Sequence, residues 1–299
     1  MRLAKATVAF ENDPQATLPG IEAGAEARPF IKWAGGKSKL LAAILPHVPD
    51  RIAHYHEPFL GSGAVFFALA PRIAGFPHLC DLNDELINAW TVVRDLPAEL
   101  LKVSEGYRGL NAEEDYYQVR AASPDGRLER AGRFFYLNQT AWNGLWRVNK
   151  HGVFNVPWGA RPFRGLDEET IFAASKVLQE AKIENLDFRE AIGRARPGDF
   201  VYLDPPYLPA SDTSKFCFYT KKRFRVSDLE ELAGLCEKMS AEGINWMMSN
   251  RDNERMRKLF AHAKVIPFTT WRSVSAQNRR NVQPSSSPEV VVVGGPACQ

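Results

Sequence analysis

Asp204-Pro205-Pro206-Tyr207 concentrates more chemistry than any other four residues of this 299-residue chain. It follows the apolar run 200–203, which reads as a buried strand. Two prolines in succession remove two N–H donors and hold the backbone extended and kinked. The carbonyls of Asp204 and Pro205 are then placed to accept hydrogen bonds beside the Asp204 carboxylate. A carboxylate next to a carbonyl suits a planar amino group, which has two protons to donate. Tyr207 adds an aromatic plane on which a base can stack.

A second candidate is Glu57-Pro58-Phe59-Leu60-Gly61-Ser62-Gly63, a strand exit followed by a glycine turn. Glycines there let backbone N–H groups approach a ligand with no Cβ in the way. Asp81 ends the next expected strand, 20 residues after Gly61, where a carboxylate can take both hydroxyls of a ribose. The third is Lys32-Trp33-Ala34-Gly35-Gly36-Lys37-Ser38. Its end resembles a phosphate-binding P-loop, but the position that needs the first glycine is Ile31. What remains is a loop with one aromatic face and two ammonium groups, suited to an adenine ring and a carboxylate.

Elements that hold these segments follow from periodicity. A strand is expected over 54–59, a helix over 64–70, a strand over 78–81 and a helix over 84–94, which is the unit of a parallel α/β sheet. The α/β pattern resumes with a strand at 200–203 and a helix from Ser227 to about 242, opened by a capping box of Ser227 and Glu230. Strands at 244–249, 264–268 and 289–293 and a helix over 252–262 complete it; 284–288 reads as a loop. Between the halves, 84–167 carries helical patterns at 98–105, 112–121 and 128–137, then a Gly/Asn-punctuated stretch at 143–159. The expected organisation is a flexible tail at 1–28, a sheet domain from 29–83 plus 168–299, and a mainly helical inserted domain at 84–167.

Composition narrows the class. Hydrophobic residues make up 45% and charged residues 24%, an ordinary globular balance. No apolar run is long enough for a membrane helix, and 1–29 has no secretory pattern, so a cytoplasmic protein is expected. Cys80, Cys217, Cys236 and Cys298 are too dispersed for a zinc or disulfide framework. The net charge of +3 decides nothing, but basic residues cluster in three places: Arg147 to Arg164, Lys215 to Arg225, and Arg272 to Arg280.

Taken in order, the loop at 32–37, the Phe59-x-Gly61-x-Gly63 turn, Asp81, an insertion and Asp204-Pro205-Pro206-Tyr207 resemble the Dam-type S-adenosylmethionine-dependent DNA adenine N6-methyltransferases of the alpha group. The segment 136–149 with 152–159 is similar to that family's DNA-reading hairpin. The resemblance implies a Rossmann-like methyltransferase sheet, with 84–167 as target-recognition domain. It implies that Trp33, Lys37, Phe59, Gly61, Gly63, Asp81 and Asp204 hold S-adenosylmethionine, and that Asp204 to Tyr207 serve the target amino group. Trp142 would wedge into the base stack of duplex DNA, and Asn143, Leu145, Arg147 and Pro157 would contact it. Base flipping without a metal, a GATC site, a monomer and a companion restriction endonuclease are further implications.

Other classes stay open on residues alone. An acid before Pro-Pro-Tyr also occurs in methyltransferases of RNA or protein amides, which the DNA-type hairpin argues against. A dinucleotide-dependent dehydrogenase would need a third glycine where Phe66 stands. A catalytically silent DNA-binding subunit would not need the full set of site residues.

Overall fold

A computed structural model of the chain describes residues 26–37, 40–208, 224–271 and 286–296. Most of the expected tail 1–28, and the basic clusters at 215–223 and 272–280, lie outside the described residues.

Seven strands form one sheet: β1 (Tyr55–Glu57), β2 (Pro77–Asp81), β3 (Lys182–Asn185), β4 (Phe200–Leu203), β5 (Asn245–Arg251), β6 (Lys264–Trp271) and β7 (Ser286–Gly294). Their order is β3-β2-β1-β4-β5-β7-β6. The first five pair in parallel, and β7 inserts antiparallel between β5 and β6. This is the Rossmann-like methyltransferase sheet that the resemblance implies.

The central strands β4, β5 and β7 are apolar on both faces, as strands covered by helices on both sides must be. Phe200, Tyr202, Met247 and Val291 point into one core, and Val201, Leu203, Met248 and Val292 into the other. The second core is closed by α8 (Phe188–Ile192), α9 (Val226–Ala241) and α10 (Glu254–Leu259). The first is closed by α2 (Ala64–Leu69), α3 (Asp84–Asp95), α6 (Arg127–Thr140) and α7 (Glu168–Leu178), after the short α1 (Leu41–Ile44).

Between β2 and β3 the expected helical patterns form α4 (Pro97–Glu105), α5 (Glu113–Ala121) and α6. The preceding helix, α3, packs against β2 and β3 as well as α6. Asn83 caps it by accepting from the Leu86 N–H at 3.1 Å.

Three local expectations change. The capping box of α9 uses Asp228, not Glu230: the Asp228 carboxylate accepts from the Arg225 N–H at 2.6 Å. Arg189 holds that same carboxylate at 2.6 Å, which fixes Asp228 at the helix entrance. β3 was not expected, because only Ile183 of its four residues is buried and no apolar alternation marks it. The patch read as a loop at 284–288 instead starts β7 at Ser286, paired with Trp271.

Candidate active site

β1, β2, β4 and β5 are parallel, so their carboxyl ends share one edge of the sheet. Between β1 and β4 the strand order reverses, with β2 and β3 on one side and β5 on the other. Such a switch point leaves a crevice beyond the strand ends, where ligands of open α/β sheets bind. Asp204 leaves β4 there.

Its carboxylate is held from two sides. Lys37 Nζ donates to Oδ2 at 2.6 Å and to the Gly35 carbonyl at 2.7 Å. Ser249, at the far end of β5, donates to Oδ1 at 3.2 Å and shares a 2.9 Å hydrogen bond with the Tyr202 hydroxyl. Burial pushes the Asp204 carboxyl above its ordinary range, while the Lys37 ammonium and the Ser249 bond pull it back down. Lys37 is only 5% exposed and lies 5.2 Å from the centre of the Tyr207 ring. The Tyr207 hydroxyl donates to Glu289 of β7 at 3.1 Å.

The glycine turn is forced by both conformation and space. Gly61 and Gly63 have φ of +49° and +62°, in the left-handed region. A Cβ on Gly61 would lie 2.7 Å from Trp33 Cδ1, and one on Gly63 2.4 Å from Trp90 Cη2. Asp81 accepts from the Gly61 N–H at 3.2 Å and the Asn83 N–H at 2.9 Å. Burial nevertheless pushes its carboxyl up to about 6. Behind the turn, Glu57 accepts from the Tyr55 hydroxyl at 2.8 Å, and burial raises its carboxyl well above the usual range. Phe59 points to the other core, stacked on Phe188 at 5.5 Å.

The loop carrying Trp33 and Lys37 is pinned by α6. Asn138 accepts from the Lys32 N–H at 3.0 Å and donates to the Lys32 carbonyl at 2.7 Å. Trp33 stacks on Phe134 of the same helix, with ring centres 6.5 Å apart.

After α6 the chain makes a short ladder. Ala141 bridges Trp158, and Val148 bridges Phe154, both antiparallel. Trp142 is 43% exposed and its N–H donates to the Pro157 carbonyl at 2.9 Å. Asn143 takes a left-handed φ of 54° and is exposed, as is Pro157. Arg147 donates to the Asn155 side chain at 2.8 Å and to its carbonyl at 3.0 Å. A cavity of about 320 Å³ separates this turn from the loop, with Lys32, Trp33 and Gly36 on one wall and Asn143, Gly144 and Leu145 on the other.

The structure thus brings Trp33, Lys37, Gly61, Asp81, Asp204 and Tyr207 into one connected set. Phe59 and Gly63 pack just behind it. Trp142, Arg147 and Pro157 stand apart on the ladder, with Asn143 and Leu145 reaching the cavity between. Sequence reasoning missed Ser249, Tyr202, Glu289 and Asn138. The available signal was polar residues inside apolar strands and helices: Ser249 is fully buried, Asn138 2% exposed and Glu289 6% exposed.

Residues 33–274 match the family model for D12 class N6 adenine-specific DNA methyltransferase. The chain is 36% identical over 260 residues to the type II methyltransferase M1.LlaDCHI of Lactococcus lactis subsp. cremoris, covering 84% of this chain and 90% of the relative. It is 36% identical over 248 residues to the type II methyltransferase M.MjaIII of Methanocaldococcus jannaschii, covering 76% and 86%. It is 32% identical over 253 residues to the DNA adenine methylase of Escherichia coli K12, covering 83% and 90%.

Proposed function

The chain belongs to the D12 class N6 adenine-specific DNA methyltransferases, and from that premise we propose that the crevice at the β1/β4 switch point is where the adenine amino group is methylated. The enzyme is a site-specific DNA methyltransferase acting on N6 of adenine.

DNA methyltransferases in general use S-adenosylmethionine, and the residues present suit it. Asp81 at the glycine turn matches a ribose diol, and Trp33 an adenine ring. Phe59, Gly61 and Gly63 shape the floor. The Lys37–Asp204 pair offers both charges to an amino-acid end. When bound, S-adenosylmethionine supplies a methyl group made electrophilic by its sulfonium.

The exocyclic nitrogen of adenine is conjugated into the ring and is a poor nucleophile. Asp204 and the Pro205 carbonyl accept hydrogen bonds from its two N–H groups, which favours a more tetrahedral, nucleophilic nitrogen. An ionised carboxylate has about four acceptor sites, and Lys37 and Ser249 occupy two of those on Asp204. Holding nitrogen and methyl donor in line supplies much of the remaining acceleration. Transfer would break the methyl–sulfur bond and leave its electron pair on sulfur, and the methylated nitrogen, strongly acidic while it carries both protons, would pass one of them to the Asp204 carboxylate or to solvent. Reaching this crevice requires flipping the base out of the duplex at a cost of a few kcal/mol. Stacking on Tyr207, and the exposed Trp142 wedging into the gap, offset that cost.

We assign target recognition to 84–167, with α3 as its root on the sheet. Arg147 reads a guanine edge, and Trp142, Asn143, Leu145 and Pro157 contact the surrounding duplex. GATC is the site we favour, from the leucine–arginine–proline set at 145, 147 and 157. A monomer, able to work beside a restriction endonuclease, fits this picture. No helix among the described residues is long and apolar enough to cross a membrane.

The observation that carries the reading is Asp204 at the switch point, clamped by Lys37 and Ser249. Methylating plasmid DNA with the wild-type chain and Asp204→Ala, then sequencing single molecules, tests it. N6-methyladenine at one short motif, absent with the variant, is expected; equal modification by both would refute the assignment.

A further inference from the structure

Residues 32 and 138 are joined by one side chain. Asn138 stands in the last turn of α6 and is 2% exposed. Its amide meets both backbone groups of Lys32, accepting at 3.0 Å and donating at 2.7 Å. In doing so it replaces the neighbouring strand that this isolated loop lacks. On one side of Asn138 the helix ends and passes directly into the turn Trp142–Gly144. Gly144 is seated so closely that a Cβ there would lie 3.2 Å from the Asn138 carbonyl oxygen and 3.3 Å from Lys32 Cδ. On the other side Trp33 abuts Gly61, and Lys37 holds Asp204. The ladder, α6 and the loop therefore meet at a single buried amide.

We propose that Asn138 is a positioning residue that couples DNA recognition to cofactor binding. A cognate duplex seated on the turn restrains the end of α6, and Asn138 passes that restraint to the loop. Cofactor affinity then rises when the correct sequence is bound, and by linkage DNA affinity rises with cofactor by the same factor. The proposal rests on the assignment above of cofactor to the loop and DNA to the ladder.

The full chain tests it by calorimetry with S-adenosylhomocysteine, which cannot react, alone and with cognate or scrambled duplex. We expect the wild type to bind it at least about fivefold more tightly with cognate than with scrambled duplex. Asn138→Ala brings that ratio to about one while changing each separate affinity less than the coupling itself. A second measurement needs no variant: cognate duplex without cofactor should slow amide hydrogen exchange at 31–36 in the wild type relative to scrambled duplex. A wild-type ratio of one, an unchanged ratio in Asn138→Ala, or unaltered exchange would overturn the coupling. Trp33→Ala and Arg147→Ala separate the two levels. If they leave cofactor and duplex binding intact, the site assignment falls and the coupling with it. If they weaken binding while Asn138→Ala keeps the ratio, only the coupling is wrong.

Discussion

The surroundings of Asp204 and of Arg147 are built on different plans. Asp204 is held by groups from distant parts of the chain, Lys37 from the loop before α1 and Ser249 from β5, while Glu289 of β7 holds the neighbouring Tyr207. Arg147 is held by one residue eight positions away, in a ladder that closes on itself between 141 and 158. In the first arrangement Lys37 and Ser249 are buried and Asp204 is half-buried; the second carries exposed Trp142 and Val153. A carboxylate that must meet a reacting nitrogen needs its position set by the whole fold. A surface proposed to read bases can carry its contacts on exposed positions such as Trp142 and Pro157, while Trp146 and Phe154 of the same ladder remain in the core.

The contrast is open to attack by substitution. Asp204→Ala should have the largest effect, lowering methyl transfer on the order of 10²–10³-fold or more in a labelled-methyl assay. It also strands the buried Lys37 ammonium, a loss of about 3–5 kcal/mol by urea unfolding. Adding Lys37→Met should restore most of that stability and none of the activity. If Asp204→Ala unfolds no more easily than wild type, the clamp is not what the distances imply.

Asp81 gives a pH signature. Its carboxyl is raised to about 6 in the fold from an ordinary 3.8. The stability it contributes is therefore fully present below about pH 4 and lost as pH rises through about 6. Asp81→Asn should flatten unfolding free energy over that window and leave the ligand-free chain up to about 3 kcal/mol more stable at pH 7. Its affinity for S-adenosylmethionine should fall at the same time. A variant with the wild-type pH profile would show that the turn is not dry.

Arg147→Ala should cost about 1–3 kcal/mol of discrimination at one base pair, measured by competition between cognate and singly altered duplexes. Stability should stay within about 0.5 kcal/mol; a larger loss would mean that the ladder is as deeply tied in as Asp204. Smallest is Ser249→Ala, at about 1 kcal/mol, or roughly fivefold in kcat/KM.

Much of this architecture could be read from residue types because its signals are local. Asp-Pro-Pro-Tyr after an apolar run, and a glycine turn with an acid 20 residues on, place the crevice without coordinates. The helices between β2 and β3 were visible for the same reason. What escaped depends on partners far apart in the chain. Asn138 looks like any polar residue in a helix until Lys32 is laid beside it, 106 positions away. Ser249 gains meaning only when β5 pairs with β4 and brings it to Asp204. β3 was hidden because an edge strand with one buried residue has almost no pattern. The α9 entrance was misplaced by two residues because Arg189, from another element, selects which acid stands there.

The antiparallel seating of β7 has a consequence for synthesis. Its partners β5 and β6 leave the ribosome first, and each has an open flank until residues 286–294 arrive. Glu289, which steadies Tyr207, arrives with them. A polypeptide that stops before that point lacks both the carboxylate that accepts from Tyr207 and the strand through which β6 joins the sheet.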